Sequence, residues 1–143
     1  MTTLQSVRAD DQLASSAPAA LAAPAGSGEV DPAPLIGTWW ATDKATPGVL
    51  RMELAARGGR LTVHAYGACS PEACDWGERA ATAYGSSVGS REAMAFSVVY
   101  DFGFMETLLA AYMKGGILVL DTFNTFKDGS GRAGYFTREF YHR

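Results

Sequence analysis

The sequence predicts an all-β protein, an eight-stranded antiparallel up-and-down barrel behind a flexible or loosely packed N-terminal arm. Three observations carry this. The aromatic residues (three Trp, six Tyr and seven Phe) all fall at or beyond Trp39, and 14 of the 16 glycines fall at or beyond residue 34. Apolar segments of ordinary strand length alternate with glycine turns from residue 34 onward. Most connections are only two to six residues long, too short for a crossover helix, so sequence neighbours pair antiparallel.

Residues 1–33 contain nine Ala, three Pro and no aromatic. They read as an Ala/Pro-rich arm with little to bury, leaving residues 34–143 as one β-barrel domain with a single modest core. A short helix over residues 3–14 is the alternative to an unstructured leader. The strand segments are residues 35–42, 48–57, 60–68, 75–84, 93–101, 104–113, 117–126 and 133–142. Gly58-Gly59 and Gly115-Gly116 suit two-residue hairpins, in which both central residues need positive φ. Asp128-Gly129-Ser130-Gly131 marks the turn before the last segment. Phe102-Gly103 marks a tight turn or bulge, and residues 85–91 a glycine- and serine-rich loop.

The first hairpin fixes a register. Glu53 opposes His64, Met52 opposes Ala65, and Arg51 opposes Tyr66. One face then carries Leu50, Met52, Leu54, Ala56, Leu61, Val63 and Ala65, and the other Arg51, Glu53, Ala55, Thr62, His64 and Tyr66. The second hairpin sets Met113, Ala111 and Leu109 against Leu118, Leu120 and Thr122. Tyr112, Ala110 and Leu108 face Val119, Asp121 and Phe123. Both faces there are apolar, so an arm, a tail or a second subunit is expected on the outside, and a homodimer is one form of that cover. Closing the sheet removes its edges and encloses a core or one small ligand.

Gly37-Thr38-Trp39 on the first strand of such a meander resembles the lipocalin-like, or calycin, barrels. In those families the Trp closes one end, packed by a basic residue from the last strand. Trp39 fits that place, and Arg138 is the candidate partner. The resemblance spans about residues 35–142. The stretch from His64 to Gly77 looks like the signature of a small bacterial branch rather than of a well-known lipocalin. The resemblance implies a site for small apolar molecules, and similar small barrels in microbial pathways act as cyclases or isomerases.

Charge excludes some functions. The formal net charge of −3 resides in the arm, and the body balances acids with bases. No basic cluster exists to hold a nucleic acid or an anionic membrane surface. No apolar run is long enough to span a bilayer, and residues 1–25 lack the form of a secretory signal. A cytoplasmic location is expected. Cys69 and Cys74 read as loop thiols, a short-loop disulfide, or part of a metal site with His64 and Asp75; no metal and no cofactor is expected. The chain lacks GxGxxG, Walker, HExxH and GxSxG sequences.

The leading expectation is a cavity for a small apolar or amphipathic molecule, lined by Trp39, Met52, Val63, Trp76, Met94, Phe96, Tyr100, Leu120 and Asp121. An alternative is a cofactor-independent lyase, isomerase or cyclase. In it His64 moves a proton, Glu53 holds its tautomer, Tyr66 assists and Arg51 binds an anionic oxygen. That arrangement requires their face to point inward; pointing outward, the four form a solvated cross-strand ladder. A structural or partner-binding module is the third expectation.

Overall fold

The computed structural model describes residues 30–143. A short 3-10 helix, Ala33–Leu35, leads into nine strands: β1 Gly37–Ala41, β2 Val49–Arg57, β3 Arg60–Gly67, β4 Cys74–Ala80, β5 Thr82–Tyr84, β6 Ala95–Asp101, β7 Met105–Lys114, β8 Ile117–Phe126 and β9 Tyr135–His142. They form one antiparallel sheet in the order β4-β3-β2-β1-β9-β8-β7-β6-β5. The two ends of that order are consecutive in the chain, so the sheet curls into a nearly closed barrel. The expected count of eight strands is therefore corrected to nine. The segment expected over residues 75–84 is divided at Ala81. Its first part pairs with β3 and its second with β6. Ala81 sits at the crossing, where its N–H donates to Leu61 O at 3.0 Å. One chain thus bridges the seam, and β4 packs beside β6 with no ladder between them.

Most of the arm expected over residues 1–33 lies outside the described residues, as does the helix over residues 3–14. Residues 30–33 are not loose. Asp31 N–H donates to Arg91 O at 2.6 Å, Ala93 N–H donates to Asp31 O at 2.9 Å, and Pro32 is buried. Among the described residues, no helix is long and apolar enough to cross a membrane.

Both Gly-Gly hairpins form as the sequence demands. Gly58, Gly59, Gly115 and Gly116 all have positive φ. The pairings Glu53–His64, Met52–Ala65, Arg51–Tyr66, Met113–Leu118, Leu109–Thr122 and Leu108–Phe123 follow. Met52, Leu54, Leu61, Val63 and Ala65 point into the barrel and are buried. Leu50 does not join them. A register shift between Val49 and Arg51 adds one residue to β2, so Val49 takes the buried position and Leu50 turns toward Trp40, Arg51 and His142 outside.

Trp39 closes one end of the barrel. It is fully buried, and its Nε1 donates to Leu35 O at 2.9 Å. Its ring carries the guanidinium of Arg143 at 4.3 Å. Arg143 Nη1 also donates to Pro34 O and Ile36 O, at 3.0 and 3.1 Å. The expected partner, Arg138, is replaced by Arg143. Arg138 lies on the outer face and forms a two-pronged bond with Asp121, at 2.6 and 2.9 Å. The glycine of Gly37-Thr38-Trp39 has a physical cause. Gly37 has φ +137°, and a Cβ there would lie 3.1 Å from Arg143 Cδ. The interior above Trp39 is filled by Leu35, Met52, Val63, Phe96, Leu109, Leu118 and Leu120, all nearly inaccessible to solvent.

Candidate functional site

Packing gives way to a cavity at the opposite end. That end gathers the β1–β2 loop, the β3–β4 connection, the β6–β7 turn and the β8–β9 loop. The cavity measures about 440 Å³ and opens to solvent. Val49, Pro47, Trp76, Met105 and Tyr135 supply apolar wall, and Thr46, Thr122, Asn124, Thr137 and Glu139 supply polar groups. Its size is within the range of small-molecule sites, roughly 300–1,000 Å³.

Strand alternation produces this composition. Leu118, Leu120, Thr122 and Asn124 follow one another along the inward face of β8. The deep positions are apolar and the shallow ones polar. On β9, Tyr135, Thr137, Glu139 and Tyr141 share a face by period two, and Tyr141 is its buried inner end. The β1–β2 loop completes the rim. Thr46 is buried there, and Gly48 N–H donates to Thr46 Oγ1 at 3.0 Å.

The polar groups are held in place. Thr46 Oγ1 donates to Glu139 Oε2. Tyr141 OH donates to Val49 O at 2.6 Å, while Glu139 Oε1 lies 3.4 Å from the same hydroxyl. One hydroxyl proton cannot serve both acceptors fully, and the shorter bond takes it. Burial, with Glu139 second, pushes the Tyr141 hydroxyl well above its ordinary pKa, which keeps it neutral and a donor. Thr107 Oγ1 donates to Asn124 Oδ1 at 2.6 Å inside the barrel. Among the described residues no buried side-chain nitrogen or oxygen lacks a partner, and Asn124 lines the cavity from β8.

Trp76 is the large apolar wall. It meets Tyr100 and Phe102 edge-on, with ring centroids 5.4 and 5.0 Å apart. Gly67 makes room for it, since a Cβ there would lie 2.6 Å from Trp76 Nε1. Cys69 and Cys74 are joined as a disulfide across the neighbouring β3–β4 connection, with Cα atoms 5.4 Å apart. Of the three readings open for these cysteines, the short-loop disulfide is the one present. Among the described residues no cluster of three metal-ligating side chains occurs.

Of the residues expected to line a cavity, Trp76 does so. Trp39, Met52, Val63, Phe96, Tyr100 and Leu120 belong to the filled interior. Met94 is partly exposed beside β6, and Asp121 pairs with Arg138 outside. Arg51, Glu53, His64 and Tyr66 come together, but on the outer face. The His64 and Tyr66 rings stack at 4.5 Å, Arg51 covers Tyr66 at 3.8 Å, and Arg51 Nε is 3.5 Å from Glu53. The carboxylate at His64 is Asp75, 2.5 Å from Nε2, rather than Glu53. That contact, led by the hydrogen bond from His64, holds Asp75 below the usual carboxylate range. Thr46, Asn124, Thr137 and Glu139 are not among the residues expected from the sequence. The available signal was period two in the last strand, which puts Thr137 and Glu139 in line with a buried Tyr141.

Fold and site together define a small, nearly closed antiparallel β-barrel consistent with the broad calycin, lipocalin-like superfamily, with a cavity at one end. Compared with protein-family models, with curated proteins and with solved structures, the chain matches none.

Proposed function

We propose that the chain binds a small, largely apolar organic molecule with a polar end in the open-end cavity. The observation that carries this is the change along the barrel axis from a filled interior to an open, partly polar chamber of about 440 Å³. Apolar walls supply area, and a few fixed polar groups supply orientation. The ligand sits at the barrel mouth, above the Trp39 layer. Native mass spectrometry of protein purified from its own host is expected to show a reproducible added mass. Thr137→Trp, which fills the chamber from an exposed strand position, is expected to lose that mass while keeping the wild-type circular dichroism. An equal added mass on both proteins would place the molecule elsewhere.

The enzymatic alternative, a cofactor-independent lyase, isomerase or cyclase, is supported by the His64–Asp75 hydrogen bond with Tyr66 and Arg51 beside it. It is weakened by their outer position, because such catalysis relies on excluding water. The cytoplasmic placement has the Cys69–Cys74 bond against it, since disulfides persist mainly in oxidising compartments.

A second reading concerns the outer wall of β6–β9. Val99, Leu108, Phe123 and Phe136 form one cross-strand row, each 37–51 % exposed. The next row carries the Asp121–Arg138 pair. A two-fold axis through this wall sets apolar row on apolar row and Asp121 of one copy near Arg138 of the other, so the occupant this reading names is a second copy of the chain. Sedimentation is expected to show a dimer that Phe136→Glu converts to monomer. A wild-type monomer at high concentration would exclude it.

A further inference from the structure

We propose that the ligand of the open-end cavity carries a protonated amine and that Glu139 is its counter-ion. This rests on the binding reading above and names the chemistry of that same site.

Glu139 is the acidic residue among those lining the chamber. Arg138 also borders it, but its guanidinium is committed to Asp121 on the outer face. Among the described residues, no Lys, Arg or His forms an ion pair with Glu139. The carboxylate is nonetheless fixed. Oε2 takes the Thr46 proton, and Oε1 has only the long contact to Tyr141, whose proton goes to Val49 O. Oε1 is therefore an oriented acceptor with capacity to spare. Gly48 backs it closely: a Cβ on Gly48 would lie 3.0 Å from Oε1.

A fixed carboxylate that lines the chamber without a cation partner gains a charge-assisted hydrogen bond from an ammonium donor. The rest of the chamber suits the same ligand. Trp76 and Tyr135 offer aromatic surface, which attracts a cation by its quadrupole as well as covering an apolar body. Met105 adds polarisable surface. A ligand carboxylate would meet Glu139 with like charge and is excluded. A neutral alcohol can bond Oε1 but gains no charge–charge attraction.

The test uses calorimetric titration of the full chain with 2-phenylethylamine, 2-phenylethanol and phenylacetate as probes. The amine is expected to bind about tenfold or more tightly than the alcohol, with no binding of the acid. Glu139→Gln is expected to abolish the preference, so that amine and alcohol bind within about twofold of each other. Gly48→Ala, which crowds Oε1 without removing it, is expected to weaken the amine selectively and so guards against misfolding of the first variant. Alcohol and amine binding equally to wild type would overturn the amine proposal while leaving the cavity reading standing. Binding of none of the three would overturn both.

Discussion

Trp39→Ala is expected to lose about 3–5 kcal/mol of folding stability, the usual range for deleting a large buried aromatic. In a domain of this size that corresponds to a fall of more than about 10 °C in the thermal midpoint. Four consequences combine. The ring leaves a void at the closed end of the barrel. Leu35 O loses its donor, Nε1 at 2.9 Å. The Arg143 guanidinium loses the ring 4.3 Å beneath it. The 3-10 helix Ala33–Leu35, tied down through Pro34 O, Ile36 O and the Trp39 bond, then has fewer anchors. Trp39→Phe separates these effects, because it keeps much of the buried area and removes the indole donor. Its expected loss is about 1–2 kcal/mol. Urea unfolding followed by circular dichroism measures both. A Trp39→Ala variant within a few degrees of wild type would mean that the barrel end is closed by something other than this layer.

The contrast between Trp39 and Arg138 shows what the sequence could and could not disclose. The pairing across the two Gly-Gly turns was legible residue by residue, because a two-residue hairpin leaves no freedom of register. Leu50 was not. The alternation of β2 runs on without interruption, and the extra residue between Val49 and Arg51 leaves no mark in the pattern. The division at Ala81 was also hidden, since a continuous strand-like segment is what the chain shows even where its partner changes from β3 to β6. Arg138 is the arginine within the expected last segment, whereas the partner Trp39 takes, Arg143, lies one residue beyond it; a long loop, residues 127–134, also precedes β9. Without a tight turn the phase of β9 stays open, and phase decides whether Arg138 or Glu139 faces inward.

The same uncertainty of phase hid the cavity. Glu139 enters the site only when β9 is aligned on β8, with Leu120 opposite Glu139 and Asp121 opposite Arg138. Thr46 enters through the shape of the β1–β2 loop, which no periodicity encodes. The outer group at His64 was legible in its register but not in its face; the buried Met52, Val63 and Ala65 decide that, by taking the interior. What the sequence conveys well is pairing across short turns. What it conveys poorly is which polar residues a long loop brings to a common rim.

Tyr100→Phe is expected to cost about 2–4 kcal/mol although it removes a single oxygen. That oxygen works across the seam. Ala65 N–H donates to it at 3.1 Å, and the hydroxyl reaches Gly77 O at 2.8 Å and Val63 O at 3.1 Å. The β3–β4 ladder shifts register between His64 and Tyr66, and Tyr100, from β6, supplies the bonds at that place. Phe leaves a buried N–H and carbonyl without partners, at about 1–3 kcal/mol each. Tyr84→Phe is the control, since its hydroxyl bonds only Ser97 on the exposed side, and its expected effect is within about 0.5 kcal/mol. A pH signature accompanies the loss. Burial pushes the Tyr100 hydroxyl up to about 12, above the value of about 10 for an unfolded chain. A raised pKa gives stability that is complete below pH 10 and is lost as pH rises through 12, because the unfolded chain releases its proton first. The wild type is therefore expected to lose stability over that interval, and Tyr100→Phe to lose less, with Tyr141 supplying the remainder. Equal alkaline limbs and equal urea midpoints would show that the seam does not depend on this hydroxyl. If it does, the effect extends to the ligand. Trp76, the cavity wall, packs edge-on against Tyr100 and follows Cys74 in the strand that Tyr100 holds. A loosened seam moves that wall, so binding in the cavity should weaken along with the fold.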